Sequence, residues 1–541
     1  MHPVVTARIV LNQRLVSPGN PVIVAGVGFG RRERVTLSLD GVALLTSPAV
    51  VTTDGHGAFS ATFIVPSSLL AGGNTVGAIG TRGRASVTAS LLGVLTAGPQ
   101  YYFAGAPEDA ASGTHSTLAL LNPNPRPAMV QVGVYYANGT VETENVTVGA
   151  TGERLVALAG LAGRAVPRPG VTGPGRTLGV TIEAYRPIAA QIDVTRRGRD
   201  GSLLLGNAGL ATRWYLAEGY TGLTFHETVS LLNPDVTHAA RVTLHLLPAG
   251  GRAGRAFTVV VPRHTNQVVD INRAMPGRAV GLVVTSDRPV AVERTLTFAH
   301  MRARSGPGAR LRAPRVGATG YGETTRAGTT VAATSWLFAE GTTVNRFETY
   351  LTVLNPGSRA ARVSVSFFGR GGALLAGRTL RVAPLSRATL SVNRVLQATH
   401  VASVVMSDQP VVVERPEYVG SPNGVAVPGS DVFGRNGTGV KWSFPGGDMS
   451  GKDEFFLLYN PSPSAVPVNV TFYDVNDRSV TRRVIIPARA RYTLNVGGLA
   501  LGLSAINGAV LQSTNGQGFV AEQTVFAPDH SSLQSTEGLA R

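Results

Sequence analysis

The sequence predicts an all-β protein, a tandem array of five immunoglobulin-like β-sandwich domains. The chain is rich in turn-forming residues, with 65 glycines and 33 prolines, yet 43% of its residues are hydrophobic and only 15% are charged. Short apolar runs of period two alternate with Gly, Pro, Asn and Asp, as in strands separated by turns. The same motifs also occur four times after residue 98, at intervals of roughly 105 to 120 residues, which indicates repeated modules.

Length and composition exclude several classes of protein. With 541 residues the chain can hold several domains, each with a core of its own. It contains no cysteine, which excludes disulfide frameworks, thiolate zinc sites, iron-sulfur clusters and cysteine nucleophiles. No run of about 18 uncharged apolar residues occurs, so no membrane span is expected. The net charge of +17 comes almost wholly from arginine.

Two landmarks define the repeat. The first is an aromatic-led segment, and we expect its tryptophans, Trp214, Trp336 and Trp442, to be core aromatics. The second is an Asn-Pro doublet after an apolar run, where Asn starts a turn and Pro, which cannot donate to a sheet ladder, ends a strand. The aromatic segments contain Tyr101, Trp214, Trp336 and Trp442, and the doublets begin at Asn122, Asn233, Asn355 and Asn460.

The landmarks also place the domain boundaries. The predicted domains are residues 1–98, a sandwich without the landmarks; 99–210, repeat module 1; 211–332, repeat module 2 with a long Arg-rich linker; 333–438, repeat module 3; and 439–541, repeat module 4 with a C-terminal connector tail. Period-two alternation in module 2 predicts seven strands, at 214–217, 228–232, 240–247, 257–261, 267–271, 280–285 and 290–298.

The first domain carries a recognisable set of short motifs. They are Gly-x-Gly-Phe at 26–29, Val-Thr-Leu at 35–37, Asp-x-x-Gly-x-Phe at 54–59 and Val-Pro at 65–66. In these motifs residues 1–98 resemble the IPT/TIG-like, bacterial Ig-like modules of surface proteins. The resemblance implies a sandwich and a location outside the cell.

The repeats carry a second set of motifs. Module 2 opens with Trp-Tyr-x-Ala-Glu-Gly at 214–219, continues with Leu-Asn-Pro at 232–234 and closes with Asp-x-Pro-x-x-x-Glu-Arg at 287–294. This pattern resembles a bacterial repeat domain of undefined function, found in tandem on secreted and surface-anchored proteins. Module 3 matches it well, whereas modules 1 and 4 lack the charged residues. The resemblance implies an extracellular location and no particular activity.

The candidate catalytic and metal sites all have simpler explanations. The glycines at 26–30 are followed by a strand and not by the helix that a dinucleotide site requires, so we expect a turn. Asp474 and Asp477 stand at calcium-loop spacing but lack the glycine and distal glutamate of an EF-hand. A hairpin turn is the favoured interpretation there, with calcium binding as the alternative. We therefore predict no cofactor, no metal ligand and no catalytic residue, and a protein that is not an enzyme.

Basic residues concentrate in the linker of module 2. Such a segment suits either a plain linker or contact with an acidic polymer, for example an anionic wall or surface polysaccharide. Aromatic stacking partners are scarce there, so specific nucleic-acid binding is not expected. The arginines are Arg302, Arg304, Arg310, Arg312, Arg315 and Arg326, against the single acid Glu323.

Two charges differ between the copies in a correlated way. Modules 2 and 3 have Glu218 with Arg294 and Glu340 with Arg415, whereas modules 1 and 4 have neither charge at these positions. An unpaired charge at a partly buried site is costly, so charges that occur together suggest a pair. We therefore predict a structural ion pair inside each middle module, Glu218 with Arg294 and Glu340 with Arg415.

The C-terminal tail resembles the connector that precedes module 2. Residues 530–541 are similar to residues 201–213, which lead directly into Trp214. The chain thus stops where a further module would begin. One hypothesis is that Ser532, Leu533, Gly538 and Leu539 form an assembly tail that docks on a second chain and builds a head-to-tail homopolymer. The alternative is a frayed terminus.

The expected function is structural. Tandem sandwiches joined by short linkers predict a semi-rigid rod, and hence a non-enzymatic extracellular protein of a bacterial cell surface: a stalk, coat or filament subunit. The alternative is an adhesin or glycan-binding protein that uses loops at the sandwich ends. No signal peptide opens this sequence, so either the chain is intracellular or the sequence is a mature or trimmed form of a secreted protein.

Overall fold

The computed structural model describes all residues except 1–6, 14, 17–20, 67–71, 83–84, 94–99, 110–112, 163–175, 197–199, 223, 300–320, 421–427, 530 and 541. The described chain is almost entirely antiparallel β-sheet, which confirms the predicted fold class of tandem sandwiches. It divides into two compact units. The first comprises Met1–Gln100, Met129–Gln131 and Glu183–Pro187, and the second comprises Tyr101–Ala128, Val132–Ile182 and Ile188–Arg541. Among the described residues, no helix is long and apolar enough to cross a membrane.

The N-terminal domain is a two-sheet sandwich. One sheet has the order β1-β3-β8-β6, and the other has the order β2-β10-β9-β4-β5 with β7 beside β4. Alternate residues of each strand point into one core, which includes Val22, Val24, Leu37 and Phe63. The strands are β1 Arg8–Leu11, β2 Leu15–Val16, β3 Pro21–Val27, β4 Arg34–Leu39, β5 Val42–Ala43, β6 Thr46–Ser47, β7 Val51–Thr52, β8 Phe59–Ile64, β9 Gly72–Gly80 and β10 Ser86–Gly93.

The glycine-rich segment of this domain is a turn between β3 and β4, as expected. Gly28 has a φ of 81°, which favours glycine, and the N–H of Phe29 donates to the carbonyl of Gly57 over 3.1 Å. The buried Glu33 carboxylate accepts from the N–H groups of Gly30 and Arg82 and so holds the turn. These contacts give the glycines a structural role.

The four repeat modules have one topology. Modules 1 and 4 each have two separate sheets, one of which holds the aromatic-led strand, whereas in modules 2 and 3 one long strand joins the equivalent strands into a seven-stranded sheet. Module 1 has β11 Gln100–Glu108, β12 Thr114–Asn122, β13 Ala128–Tyr135, β14 Val141–Val148, β15 Gly152–Ala157, helix α1 Leu158–Ala162, β16 Arg176–Ala184, β17 Ala189–Arg196 and β18 Asp200–Leu205. Module 2 has β19 Ala211–Leu216, β20 Phe225–Asn233, β21 Ala240–Pro248, β22 Arg255–Val261, β23 Thr265–Asp270, helix α2 Ile271–Ala274, β24 Val280–Ala299 and β25 Tyr321–Ala327.

Modules 3 and 4 repeat this order. Module 3 has β26 Ala333–Phe338, β27 Phe347–Asn355, β28 Ala361–Phe368, β29 Leu374–Val382, β30 Ser386–Ser391, a 3₁₀ turn Val392–Arg394, β31 Ala402–Val419 and β32 Gly429–Phe433. Module 4 has β33 Lys441–Phe444, β34 Asp453–Tyr459, β35 Val466–Asp474, β36 Ser479–Ile486, β37 Arg491–Asn495, a 3₁₀ turn Gly497–Leu499, β38 Asn507–Ser513, β39 Val520–Phe526, β40 Leu533–Glu537 and β41 Leu539–Ala540.

The structure differs from the expected strands of module 2 in two places. The last two predicted strands are one strand, β24, whose first half pairs with β19 and β21 and whose second half pairs with β20 and β25. In addition, 321–327, predicted as linker, is strand β25. Its Glu323-Thr-Thr-Arg run is polar but buried, and a polar run gives no signal of a buried strand.

The two landmarks of the repeat hold each sandwich together. Trp214, Trp336 and Trp442 are buried, and each indole N–H donates to a carbonyl before or within the strand that closes the module, those of Val290, Val411 and Phe519. The Asn side chain of each doublet is also fully buried. In module 2 the amide of Asn233 donates to the carbonyls of His238, Val261 and Pro262, so the doublet ties two strand ends to the turn.

The last strands of the four modules meet and link the modules in a closed cycle. The strand β18 contacts β25, β25 contacts β32, β32 contacts β40, and β40 contacts β18. We call β18, β25, β32 and β40 the ring strands. Side chains also bridge the modules: Ser202 of module 1 accepts from the N–H of Thr325 over 2.8 Å, and Gln534 of module 4 donates to Asp193 of module 1 over 2.9 Å.

This closure contradicts the expected rod of independent modules. The apolar core of module 2 is continuous with that of module 3 through Leu354 and its neighbours. Smaller apolar clusters join the other modules: Ala104 with Leu232 and Ala291 between modules 1 and 2, Leu337 with Leu457 and Val520 between modules 3 and 4, and Leu121 with Tyr473 and Val510 between modules 4 and 1. Each module therefore buries apolar surface on both neighbours.

Trp336→Ala should destabilise modules 2 and 3 together. The indole is 2% exposed and lies in the shared core, so its removal leaves a large cavity and should cost about 3 to 5 kcal/mol. Hydrogen exchange read by mass spectrometry should show faster exchange in the strands of both modules. Faster exchange in module 3 alone would mean that the cores are energetically independent.

Candidate functional site: the interfaces between the repeats

The interfaces between successive modules contain most of the buried charges, and we take them as the candidate functional region. At each interface the end of the aromatic-led strand donates a backbone N–H to a buried glutamate of the next module. The donors are Gly105, Ala217, Ala339 and Gly446, and the acceptors are Glu293, Glu414, Glu522 and Glu153 respectively. Module 1 follows module 4 in this series, so the pattern is cyclic.

The interface between modules 2 and 3 has a charged centre. The Arg294 guanidinium lies 2.8 Å from the Glu414 carboxylate and also bonds Asp431, and all three side chains are almost completely buried. The same guanidinium donates to the carbonyl oxygen of Glu218 over 2.6 Å. Burial raises the pKa of Glu414. Although burial opposes it, Arg294 lowers the pKa of Asp431, so a proton in this group resides on Glu414.

A second charged contact crosses the same interface. The Glu218 carboxylate pairs with Arg387 of module 3 at 2.9 Å, and Arg387 also donates to the carbonyl of Gly219 over 2.6 Å. The interface between modules 3 and 4 repeats both contacts. Glu340 pairs with Arg491, and Arg415 lies 2.6 Å from Glu522.

The other two interfaces use neutral groups in place of the arginines. Between modules 1 and 2, the Asn266 amide donates to the carbonyl of Ala104 over 2.9 Å, while Gly105 leaves room for the Glu293 carboxylate. Between modules 4 and 1, the Gln191 amide lies 3.4 Å from the carbonyl of Gly446. Two interfaces of the ring thus contain arginine–carboxylate pairs, and the other two have amide side chains in place of the arginines.

The predicted ion pairs inside the modules are therefore wrong. Glu218 and Arg294 both bond to module 3, and Glu340 and Arg415 both bond to module 4. The correlation arises because both members of each predicted pair lie on the face that meets the following module. A comparison shifted by one module could have found the partners, since Arg387 and Arg491 occupy equivalent places after the Asn-Pro doublets of modules 3 and 4.

The tail does not lie free for a second chain, as the assembly hypothesis expects, but pairs with strands of its own module. Residues 533–537 form ring strand β40, which pairs with β39, and Leu539 and Ala540 pair with β33 beside Trp442. Ser532 and Leu533 are buried, and a Cβ at Gly538 would meet the ring of Phe444. Module 1 of the same chain contacts β40, in the place where the hypothesis puts a second chain. The connector is therefore occupied and is not a free docking segment.

Arg326 shows what the tail contributes. Its guanidinium donates to the carbonyls of Asp431 and Ser535 and lies 2.8 Å from the Glu537 carboxylate, so one side chain of module 2 reaches modules 3 and 4. It belongs to the Arg-rich segment, but it is only 2% exposed and is not available to an acidic polymer. Arg302, Arg304, Arg310, Arg312 and Arg315 lie outside the described residues.

A chain that ends at Ala527 should lose ring closure. It would lack β40 and β41, so β39 would lose a partner strand and Arg326 would be left buried without Glu537. We expect a lower urea midpoint and a larger radius of gyration in small-angle scattering. A chain that ends at Gly538 keeps β40 and is the control, with near-normal values. An unchanged midpoint after the longer truncation would contradict a role for the tail in closure.

Several interface carboxylates are held in an unfavourable environment. Burial raises the pKa values of Glu153, Glu227 and Glu293 to about 8. Neither oxygen of Glu227 accepts a hydrogen bond of good geometry from a described residue, and Arg294 offsets only part of the desolvation cost. Such groups occur at functional sites, but also in structural ion-pair networks.

These carboxylates do not form a metal site. Within the described part of the chain, no group of three or more His, Asp or Glu side chains could hold a metal ion. The proposed calcium loop is a hairpin: Asp474 accepts from the N–H groups of Asn476, Arg478 and Ser504 and from the Arg478 guanidinium. All of these contacts are donors, and they occupy the oxygens that calcium would need.

A cavity of about 630 Å³ opens at the interface between modules 3 and 4. Its walls are mostly apolar and include Phe347, Leu375, Phe455, Leu457 and Phe526. The Phe455 and Phe526 rings are stacked, with centroids 5.6 Å apart. Cavities of this size and composition are typical of small-molecule sites.

Polar groups lie among the lining residues of this cavity. Glu340 and Arg491 satisfy each other there, and Glu417 accepts from the N–H of Thr342 over 3.0 Å. Burial raises the pKa of Glu417 to about 7. Arg370 and His400 also line the cavity, and burial, with Arg491 next, lowers the pKa of His400.

Comparison with known proteins yields distant likenesses. No protein-family model and no curated protein matches the sequence. Among solved structures, the crystal structure of Thermotoga maritima 1070 is 16% identical, covers 19% of this chain and 94% of its own, and has a TM-score of 0.18. The Anabaena sensory rhodopsin transducer is 23% identical, covers 16% of this chain and 98% of its own, and has a TM-score of 0.15.

A third structure covers more of the chain. The tetra-tandem repeat in the extending region of a large adhesion protein is 13% identical and covers 80% of this chain and 100% of its own, with a TM-score of 0.13. Likenesses with such TM-scores carry no functional argument.

Proposed function

We propose that this chain is a non-enzymatic structural protein of a bacterial cell surface, in which the four repeat modules act as one rigid body. The observation that supports the proposal is the cyclic set of interfaces, in which every module buries apolar surface and charged or amide side chains on both neighbours. Such a body is closed by ring strand β40, and we expect its described strands to resist proteases. The resemblance of the sequence to modules of surface proteins supports the location.

Limited proteolysis of the purified full chain tests the rigid body. We expect one resistant fragment that contains all four modules, because no single module can open without breaking two interfaces. A ladder of single-module fragments would contradict the proposal. Protease treatment of intact cells that carry the protein tests the location, since a surface protein should be degraded while a cytosolic marker remains intact.

The alternative function is that of an adhesin or glycan-binding protein. The cavity between modules 3 and 4 favours binding over a purely structural role, because it is the size of a small-molecule site. Retention of the purified chain on surface polysaccharides, without retention on an unrelated neutral polymer, would favour this alternative.

A further inference from the structure

The interface between modules 3 and 4 differs from the interface between modules 2 and 3 at positions that surround the cavity. Thr342 forms an isolated antiparallel β-bridge with His400 in module 3, and Tyr220 forms one with Ala279 in module 2. Tyr220 and Thr342 therefore occupy equivalent positions. The Tyr220 ring packs on Phe225 with centroids 5.2 Å apart, and Phe225 packs on Tyr418 of module 3 at 6.1 Å. In module 3 the smaller Thr342 lines the cavity.

The charges at the cavity differ in the same comparison. His400 of module 3 is equivalent to Ala279 of module 2, because each is the β-bridge partner of the residue just compared. Arg370 is equivalent to Ala249, because β28 and β21 pair in the same register with β31 and β24. The interface with the tyrosine therefore has two alanines, whereas the interface with the cavity has two basic side chains. The open space and the basic groups occur together.

These basic groups are not used by the fold. The side chains of Arg370 and His400 make no hydrogen bond or ion pair with any residue that the structure describes. The third basic group, Arg491, is neutralised by Glu340. An anion in the cavity would thus meet an uncommitted guanidinium and an imidazole donor.

We propose that this cavity binds a small amphipathic anion, an aromatic or alkyl body that carries one carboxylate or sulfonate group. The body lies against Phe347, Phe455 and Phe526, and the acidic group lies at Arg370 and His400. Apolar contact supplies most of the affinity, and Arg370 supplies the preference for a charged over a neutral ligand.

Two fluorescent probes test this proposal on the full chain. 8-Anilinonaphthalene-1-sulfonate is an aromatic anion, and N-phenyl-1-naphthylamine is its uncharged relative. We expect one saturable site for the sulfonate. Arg370→Gln should weaken sulfonate binding about tenfold and leave the amine within about twofold, because only the sulfonate forms a charge-assisted contact. Arg378→Gln, an exposed arginine of the same module outside the cavity lining, is the matched control.

A cavity-filling variant tests the location of the site. Thr342→Tyr installs the residue that module 2 has at this position and should weaken both probes at least about tenfold. Ala373→Trp narrows the cavity from an exposed hairpin position and replaces that variant if it fails to fold. Full sulfonate binding by either folded variant, or equal loss of both probes in Arg370→Gln, would overturn the proposal. Neither outcome bears on the rigid-body experiment.

Discussion

Arg294→Met should lower the free energy of unfolding of the repeat unit by about 3 to 5 kcal/mol, which is the usual cost of removing one partner of a buried ion pair. The guanidinium is fully buried, and its loss leaves Asp431 charged beside Glu414 in the interior. It also removes the donor to the carbonyl of Glu218. We expect the interface between modules 2 and 3 to open first, and urea unfolding to measure the loss.

Surface charges supply the control for this variant. Arg273 is also an arginine of module 2 paired with an acid, Asp270 at 3.4 Å, but its side chain is 88% exposed. Arg273→Met should therefore change the free energy of unfolding by less than about 1 kcal/mol. Adding Asp431→Asn and Glu414→Gln to Arg294→Met should recover part of the lost stability. Equal losses in the two arginine variants would show that burial contributes nothing.

The repeat unit should lose stability as the pH rises from about 4.5 to about 8. The pKa values of Glu153, Glu227 and Glu293 are about 8 in the folded protein, against 4.5 for an ordinary glutamate. Between these limits the folded chain keeps protons that the unfolded chain has released, so the free energy of unfolding falls with pH. Each such group contributes up to about 1.4 kcal/mol per pH unit, and the loss levels off above about pH 8.

Other groups act outside this window or against it. The pKa values of Asp235 and Asp474 are about 2, and these residues stabilise the fold above pH 3.8, so their effect is lost only at lower pH. Burial lowers the pKa values of His264 and His400, which makes stability rise with pH up to about 6.5. These histidines are partly exposed, so their effect is smaller than that of the glutamates.

Glu227→Gln isolates one of these terms. In the variant, the free energy of unfolding, measured with urea, should fall less steeply between pH 5 and 8, by a slope equivalent to about one proton. The variant should also be more stable than the parent at pH 8. Glu348→Gln, at an exposed position, should reproduce the parental pH profile. An unaltered slope in Glu227→Gln would mean that Glu227 is ionised throughout this range.

The sequence could predict the sandwiches because their signals are local. The period of two, the Asn-Pro turns and the tryptophans each act within one module, and a single copy is enough to interpret them. The order of strands in module 2 follows from such patterns, apart from the continuous β24. The tryptophan burial follows from the same reasoning, because a large aromatic side chain in a strand needs a core.

The candidate site could not be predicted because its signals are shared between modules. The buried strand β25 looks like a linker, since the backbone groups of Glu323 and Thr325 and the guanidinium of Arg326 bond to other modules. Similarly, the partners of Glu218 and Glu340 lie over 150 residues further along the chain. Only the copy-to-copy difference in charge carried information, and it identified the interface face without identifying the partner.

Closure of the ring by module 4 sets the order in which the modules can complete their interfaces during synthesis. Module 4 follows the other three modules in the chain, so until it leaves the ribosome module 1 and module 3 each lack a neighbour that the folded repeat unit supplies. In that period Glu153 and Arg415 have no partner from module 4. In that period module 4 of a neighbouring chain can occupy the vacant position. Exchange of module 4 between chains is therefore the misfolding route that competes with correct folding, and slow translation at high polysome density should increase it.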